Sequence, residues 1–131
     1  MNDITLPKNA SKEIEFIVIK EHTAVHLGSG NVSVLSTPSM ILFMEIACGM
    51  LAHEHLPKGY TSVGTRVCID HLAAVLQGEK VTSLARVNSI ENRKINFSVE
   101  VLYKDKIIGN GIHERVIVDE KRFLEKLYGQ N

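Results

Sequence analysis

Two hydrophobic patterns alternate along this chain. Residues 95–103, INFSVEVLY, set Ile95, Phe97, Val99, Val101 and Tyr103 against Asn96, Ser98 and Glu100. That period of two predicts a strand with one covered face and one polar face. Residues 13–20 (EIEFIVIK), 60–71 (YTSVGTRVCIDH), 80–90 and 107–118 are rich in β-branched residues and predict further strands. Residues 23–27 read as a continuation of the first strand or a short second one. Gln77-Gly78-Glu79, Glu91-Asn92-Arg93 and Lys104-Asp105-Lys106 punctuate the later strands as turns. Residues 40–52 break the pattern, because apolar groups there cover every azimuth of a helix around a single carboxylate, Glu45. Such a helix is buried rather than amphipathic. Thr37 before Pro38 reads as an N-cap hydroxyl with proline at the first helical position, and Pro57 and Gly59 stop the helix. Residues 119–128, DEKRFLEKLY, predict a short amphipathic helix capped by Asp119.

Strand, long helix, then a meander of strands is the order of an α+β fold, an antiparallel sheet wrapped around one long central helix. The 131 residues suit one domain, 1–131, with room for a real core. One helix cannot cover such a sheet, and open strand edges need protection, so a homodimer or a tetramer is expected.

Charge changes the picture only by exclusion. Fifteen basic and fifteen acidic residues balance, which gives no general attraction to nucleic acid or an acidic membrane surface. Cys48 and Cys68 lie in apolar runs without CxxC or metal-like spacing, and are expected to be reduced core thiols of a cytoplasmic protein. His53-Glu54-His55 puts its histidines at i and i+2, on different sides of a helix, so no metal is expected. No nucleophile elbow, P-loop or dinucleotide motif is present.

The candidate chemistry therefore starts at Glu45. An ionised carboxylate buried alone is costly, so it must be paired, protonated or used. Perturbed carboxylates of this kind cluster at active sites. The competing reading is a structural glutamate that points out through a gap or into a subunit contact.

Thr37 and Met40 at the helix start, Met44-Glu45 and Ala47-Cys48 within it, Gly64-Thr65 and His71 on the following strand, and GIHER at 111–115 occur in an order that resembles the hot-dog fold acyl-CoA thioesterases. Among these the chain is similar to the fluoroacetyl-CoA thioesterase branch, and Lys121-Arg122-Phe123 carries the similarity into the last helix. The resemblance implies hydrolysis of an acyl-CoA thioester of small or medium acyl group, with Thr37, Glu45 and His71 as the catalytic set. It implies Gly64 near the thioester carbonyl, Arg115 in substrate binding, an active site at a dimer interface, and no cofactor beyond the coenzyme A of the substrate. The fluorine-selective enzyme has phenylalanines before its helix, whereas residues 28–35, GSGNVSVL, have no aromatic. Fluoroacetyl-CoA is therefore not the expected substrate. Residues 28–31 serve as a connector or as an entry lid.

In that chemistry Glu45 attacks the carbonyl or holds a water as general base, and His71 passes the proton. Eight residues of helix rise about 12 Å, so Thr37 and Glu45 of one chain do not touch, and substrate, water or a partner subunit must bridge them. Arg66, Arg93, Lys94 and Arg115 are candidates for a basic rim facing the phosphates. His113 shares the Arg115 face and reads as structural. The rival functions are a non-catalytic acyl-CoA or small-ligand binding module on the same fold and an enoyl-CoA hydratase.

Overall fold

The computed structural model describes residues 4–130. Strand β1 (Ser11–Ile17) leads through a single 3-10 turn to a one-turn helix, α1 (Ala24–Leu27), and then to the long helix α2 (Thr37–His53). Strands β2 (Tyr60–His71), β3 (Lys80–Glu91), β4 (Lys94–Tyr103) and β5 (Lys106–Asp119) follow, and α3 (Glu120–Tyr128) closes the chain. The five strands form one antiparallel sheet in the order β1-β3-β4-β5-β2. This is the expected α+β layering, with α2 lying across the concave face.

Alternation selects which face of the sheet is covered. Ile95, Phe97, Val99 and Val101 of β4 and Val81, Ala85 and Val87 of β3 are all buried, beneath Met40, Phe43, Met44, Ala47, Cys48, Leu51 and Ala52 of α2. Phe16 stacks on Phe43 at 4.2 Å between ring centroids, and the buried Ser83 hydroxyl donates to the Phe43 carbonyl at 2.9 Å. Gly109 lets α2 approach closely, since a side chain there would collide with the Met40 thioether.

Three expectations are corrected. Residues 23–27 are not a strand: the Thr23 hydroxyl accepts from His26 N at 3.3 Å, and Gly28, at φ 73, ends the single turn. A threonine cap and a left-handed glycine outweigh the β-branched composition of so short a stretch. The N-cap of α2 is Ser36, whose hydroxyl accepts from Ser39 N at 3.1 Å, so Thr37 is the first helical residue. Proline is tolerated throughout the first turn, where the backbone N–H groups have no helical partner, so Pro38 did not fix the cap to one position. A serine cap of this kind contributes about 1 kcal/mol. The third correction is burial. Leu42 and Met50 are 45% and 47% exposed, and the Glu45 side chain between them is 40% exposed. Helix α2 thus carries a half-bare apolar stripe. It runs beside the free edge of β2, where residues 64–68 are exposed. Cys68 lies on this edge and is also exposed, whereas Cys48 is buried as expected.

Among the described residues, no helix is long and apolar enough to cross a membrane.

Candidate active site

The correction at the cap has a chemical result. Freed from capping, the Thr37 hydroxyl lies 2.7 Å from Nδ1 of His71, the last residue of β2. The other ring nitrogen, Nε2, is buried and has no hydrogen-bond partner. Burial holds the His71 pKa below its ordinary 6.5, opposed more weakly by the Ala73 backbone, so the ring is neutral at pH 7. If Thr37 donates to Nδ1, Nε2 carries the proton and aims an unused donor at its surroundings. In the other tautomer Nε2 is an unused base. Both forms suit proton transfer to a group that arrives from outside the chain.

A second cluster forms two helical turns further along α2. The Glu45 carboxylate lies 3.9 Å from Arg115 Nη1 and 4.0 Å from His113 Nε2. Both β5 residues share the inner face with Gly64, whose Cα register partner is Arg115. Arg115 is fixed from below: Nε donates to the Ser62 hydroxyl at 2.7 Å and Nη2 to the Ser62 carbonyl at 3.0 Å. Strand β2 slips register between Gly64 and Arg66, a bulge of the kind that a glycine inside a strand often marks.

Gly64 leaves the space that Glu45 uses. A methyl group added there would sit 2.8 Å from Glu45 Oε2 and 3.2 Å from the His113 ring. A carboxylate at the end of a flexible side chain moves aside at little cost. Gly64→Ala is therefore expected to leave the melting temperature within a few degrees of wild type while turnover falls about 10-fold or more, because small misplacements of a reacting group are expensive. Parallel melting and kinetic measurements check this, and an unchanged rate would show that the position of Glu45 is not critical.

Thus the structure brings Thr37 to His71, and Glu45 to Gly64 and Arg115, but leaves the two groups at separate ends of one helical stripe. Ser62 was not singled out from the sequence. The available signal was its i, i+2 relation to Gly64 on one strand face. Of the expected basic rim, Arg66 and Lys94 are exposed, and the Arg93 guanidinium lies 6.0 Å above the Tyr60 ring. Arg115 instead faces inward. Cys48, beneath the second cluster, has its pKa pushed up to about 12, chiefly by burial, and stays a thiol. Among the described residues, no three His, Cys, Asp or Glu side chains are grouped to hold a metal ion.

These titrations define a stability window. Burial lowers the pKa of both His71 and His113, so as pH falls below the unfolded value near 6.5 the unfolded chain binds more protons and stability drops. At the other end, the folded chain keeps the Cys48 proton between 9.0 and about 12 while the unfolded chain releases it, so stability also falls as pH rises above 9. Melting temperatures from pH 5 to 10 are expected to peak between these limits. A monotonic profile would contradict the assignment.

Comparison with known proteins identifies the family and the fold. The model of the fluoroacetyl-CoA-specific thioesterase family, FlK, matches residues 18–121. The fluoroacetyl-CoA thioesterase of Streptantibioticus cattleyicolor is 34% identical over 94 residues, covering 72% of this chain and 68% of that protein. A solved structure of the fluoroacetyl-CoA thioesterase FlK superposes with a TM-score of 0.89 at 28% identity, covering 97% of this chain and 98% of the other. A variant of that enzyme has been solved in complex with fluoroacetate and CoA. A hot-dog-like protein from Thermanaerovibrio acidaminovorans shares the fold, with a TM-score of 0.87 at 21% identity over 95% of this chain and 92% of that one. By the family match, the sequence identity and the shared fold, the chain belongs to the fluoroacetyl-CoA-specific thioesterase family and is a hot-dog fold acyl-CoA thioesterase.

Proposed function

We propose that this thioesterase cleaves CoA thioesters of small or medium acyl groups at sites shared between two protomers. Glu45 serves as nucleophile or general base, His71 as acid/base and Thr37 as the orienting hydroxyl. The carrying observation is the split along α2: a Thr37–His71 pair with an unsatisfied Nε2 at one end, and Glu45 beside Gly64 and Arg115 at the other.

A two-fold partner closes the gap. Pairing two β2 edges antiparallel would cover both free edges and the bare stripe of α2. Cross-strand neighbours must share a face, and Thr65 is bulged out of the count. An axis at Cys68 then sets His71 against the partner's Gly64, and an axis at Val67 sets it against the partner's Ser62. In either register His71 meets the partner's Glu45 cluster.

In the assembled site the thioester carbonyl lies by Gly64, where a backbone N–H supports the developing oxyanion and the Arg115 charge offsets it. Water activated by Glu45, or Glu45 itself, attacks the carbonyl carbon, and the C–S bond breaks. His71, neutral at rest, takes up the proton released by the attacking water and passes it to the departing thiolate, with the Thr37 hydroxyl holding the ring. If Glu45 attacks, the thiolate leaves first, and the water that then cleaves the anhydride and restores the carboxylate releases the proton that His71 passes to the thiolate. Coenzyme A is the leaving group and no cofactor takes part. The unpaired thiols Cys48 and Cys68 suit a reducing cytoplasm.

Residues 28–35 have no aromatic side chain to close over a fluoromethyl group, so selectivity for fluoroacetyl over acetyl is not expected. Thiol release across a panel from acetyl- and fluoroacetyl- to octanoyl-CoA tests the reading. Absence of hydrolysis throughout would overturn it, as would loss of enoyl absorbance without free thiol in place of hydrolysis.

A further inference from the structure

His113 lies between the edge strand and Arg115. It is 1% exposed, packed beside Phe97 at 6.3 Å between ring centroids. Its Nδ1 is 2.8 Å from the Arg66 carbonyl, and its Nε2 is 3.2 Å from Arg115 Nη1. A carbonyl only accepts, so Nδ1 carries the proton, and an arginine only donates, so Nε2 is the bare nitrogen. The backbone of the β2 bulge therefore selects one neutral tautomer, and that tautomer offers Arg115 an acceptor.

The guanidinium is then held at all three nitrogens. Ser62 takes Nε and Nη2, and His113 takes Nη1. Nη1 is also the atom that faces Glu45, at 3.9 Å. Ser62 alone leaves the guanidinium free to tilt about its two bonds. The third contact removes that freedom and points Nη1 past the imidazole to the carboxylate.

We propose that His113 is a positioning residue for thioester hydrolysis: as a fixed neutral acceptor it orients Arg115, and through Arg115 the carboxylate of Glu45. This deepens the functional reading above and rests on it for its kinetic consequence. The charged and polar groups that act on the ring are Glu45 from α2, Arg115 and Glu114 from β5, and the Arg66 backbone from β2. A protonated ring would present a donor to a donor at Arg115, so the arrangement requires the neutral form.

Two readouts test the proposal in the full-length protein. The first is NMR of the Arg115 guanidinium, which needs no substrate. Hindered rotation gives separate Nη signals in wild type. These are expected to persist in His113→Gln, whose side-chain carbonyl reaches toward the same donor, and to collapse in His113→Leu. The second is acetyl-CoA hydrolysis. His113→Leu is expected to lower kcat about 10-fold or more with KM little changed, in the range that a displaced reacting group produces, while His113→Gln stays within about 3-fold of wild type. In an Arg115→Ala background the Leu substitution should cost almost nothing more, because residues that act as one unit are not additive. Where His113→Leu does not fold, His113→Asn replaces it, since it can serve the Arg66 carbonyl but is too short for Arg115. Equal rates for Leu and Gln, an undiminished loss without Arg115, or unchanged guanidinium signals would each overturn the proposal. A wild-type protein without hydrolysis but with the expected guanidinium signals would instead refute only the assigned reaction.

Discussion

Glu45→Gln is expected to lower acyl-CoA turnover at least ~100-fold, the range typical of removing a general base, with the chain still fully folded. Glutamine keeps the length and shape of the side chain but can neither attack a thioester nor take a proton from water. Structure gives little reason for collateral damage. The side chain is 40% exposed, and its nearest polar neighbours, the Arg115 guanidinium and the neutral His113 ring, stand at 3.9 and 4.0 Å, beyond hydrogen-bonding distance. Arg115 keeps its three bonds to Ser62 and His113 without it. His71→Ala is expected to cause a loss of similar size, since the thiolate then leaves without a proton donor. Initial rates of thiol release, with CoA binding and melting curves measured alongside, separate a catalytic loss from a folding or affinity loss. Near-normal turnover in Glu45→Gln would remove the centre of the mechanism.

The reason Glu45 stood out in the sequence is also the reason its surroundings did not. A carboxylate between apolar neighbours in residues 40–52 is visible as a local contradiction. Its resolution depends on groups far away in sequence, Ser62 and Gly64 on β2 and His113 and Arg115 on β5. Strand character was also legible, by clear alternation in β4 and by β-branched composition elsewhere; the alternating burial appears in β3 and β4, whereas β2 and β5 do not alternate. Elements of one turn were not: residues 23–27 offer too few positions to show a period, and their cap and terminal glycine decide the matter instead. The cap of α2 slipped by one residue because Ser36 and Thr37 are chemically equivalent as caps. Only the position of His71 across the sheet gives Thr37 a different task. Burial of α2 was over-read for a further reason. Composition reports that a surface is apolar, and it does not say whether the cover comes from the same chain or from another copy.

That ambiguity yields a test of the shared site. Mix two inactive proteins, Glu45→Gln and His71→Ala, unfold and refold them together, and activity is expected to return to about a quarter of the wild-type level, the statistical yield for a two-fold dimer. Half of the dimers would then be mixed. Each mixed dimer would hold one site with an intact His71 from one protomer facing an intact Glu45 from the other, and one site lacking both. If instead Glu45 and His71 of the same chain served one site, every site in the mixture would lack one of them, and no activity above the parent proteins would appear. Helix geometry already favours the first outcome. Thr37, bonded to His71, and Glu45 are eight residues and about 12 Å apart along a rigid rod, whereas pairing β2 edges across a two-fold axis joins the two halves without bending it. The dependence on refolding together is a useful control. Mixing the folded variants should restore activity only as fast as dimers exchange, and dilution below the dimer dissociation constant should abolish activity in the wild type as well.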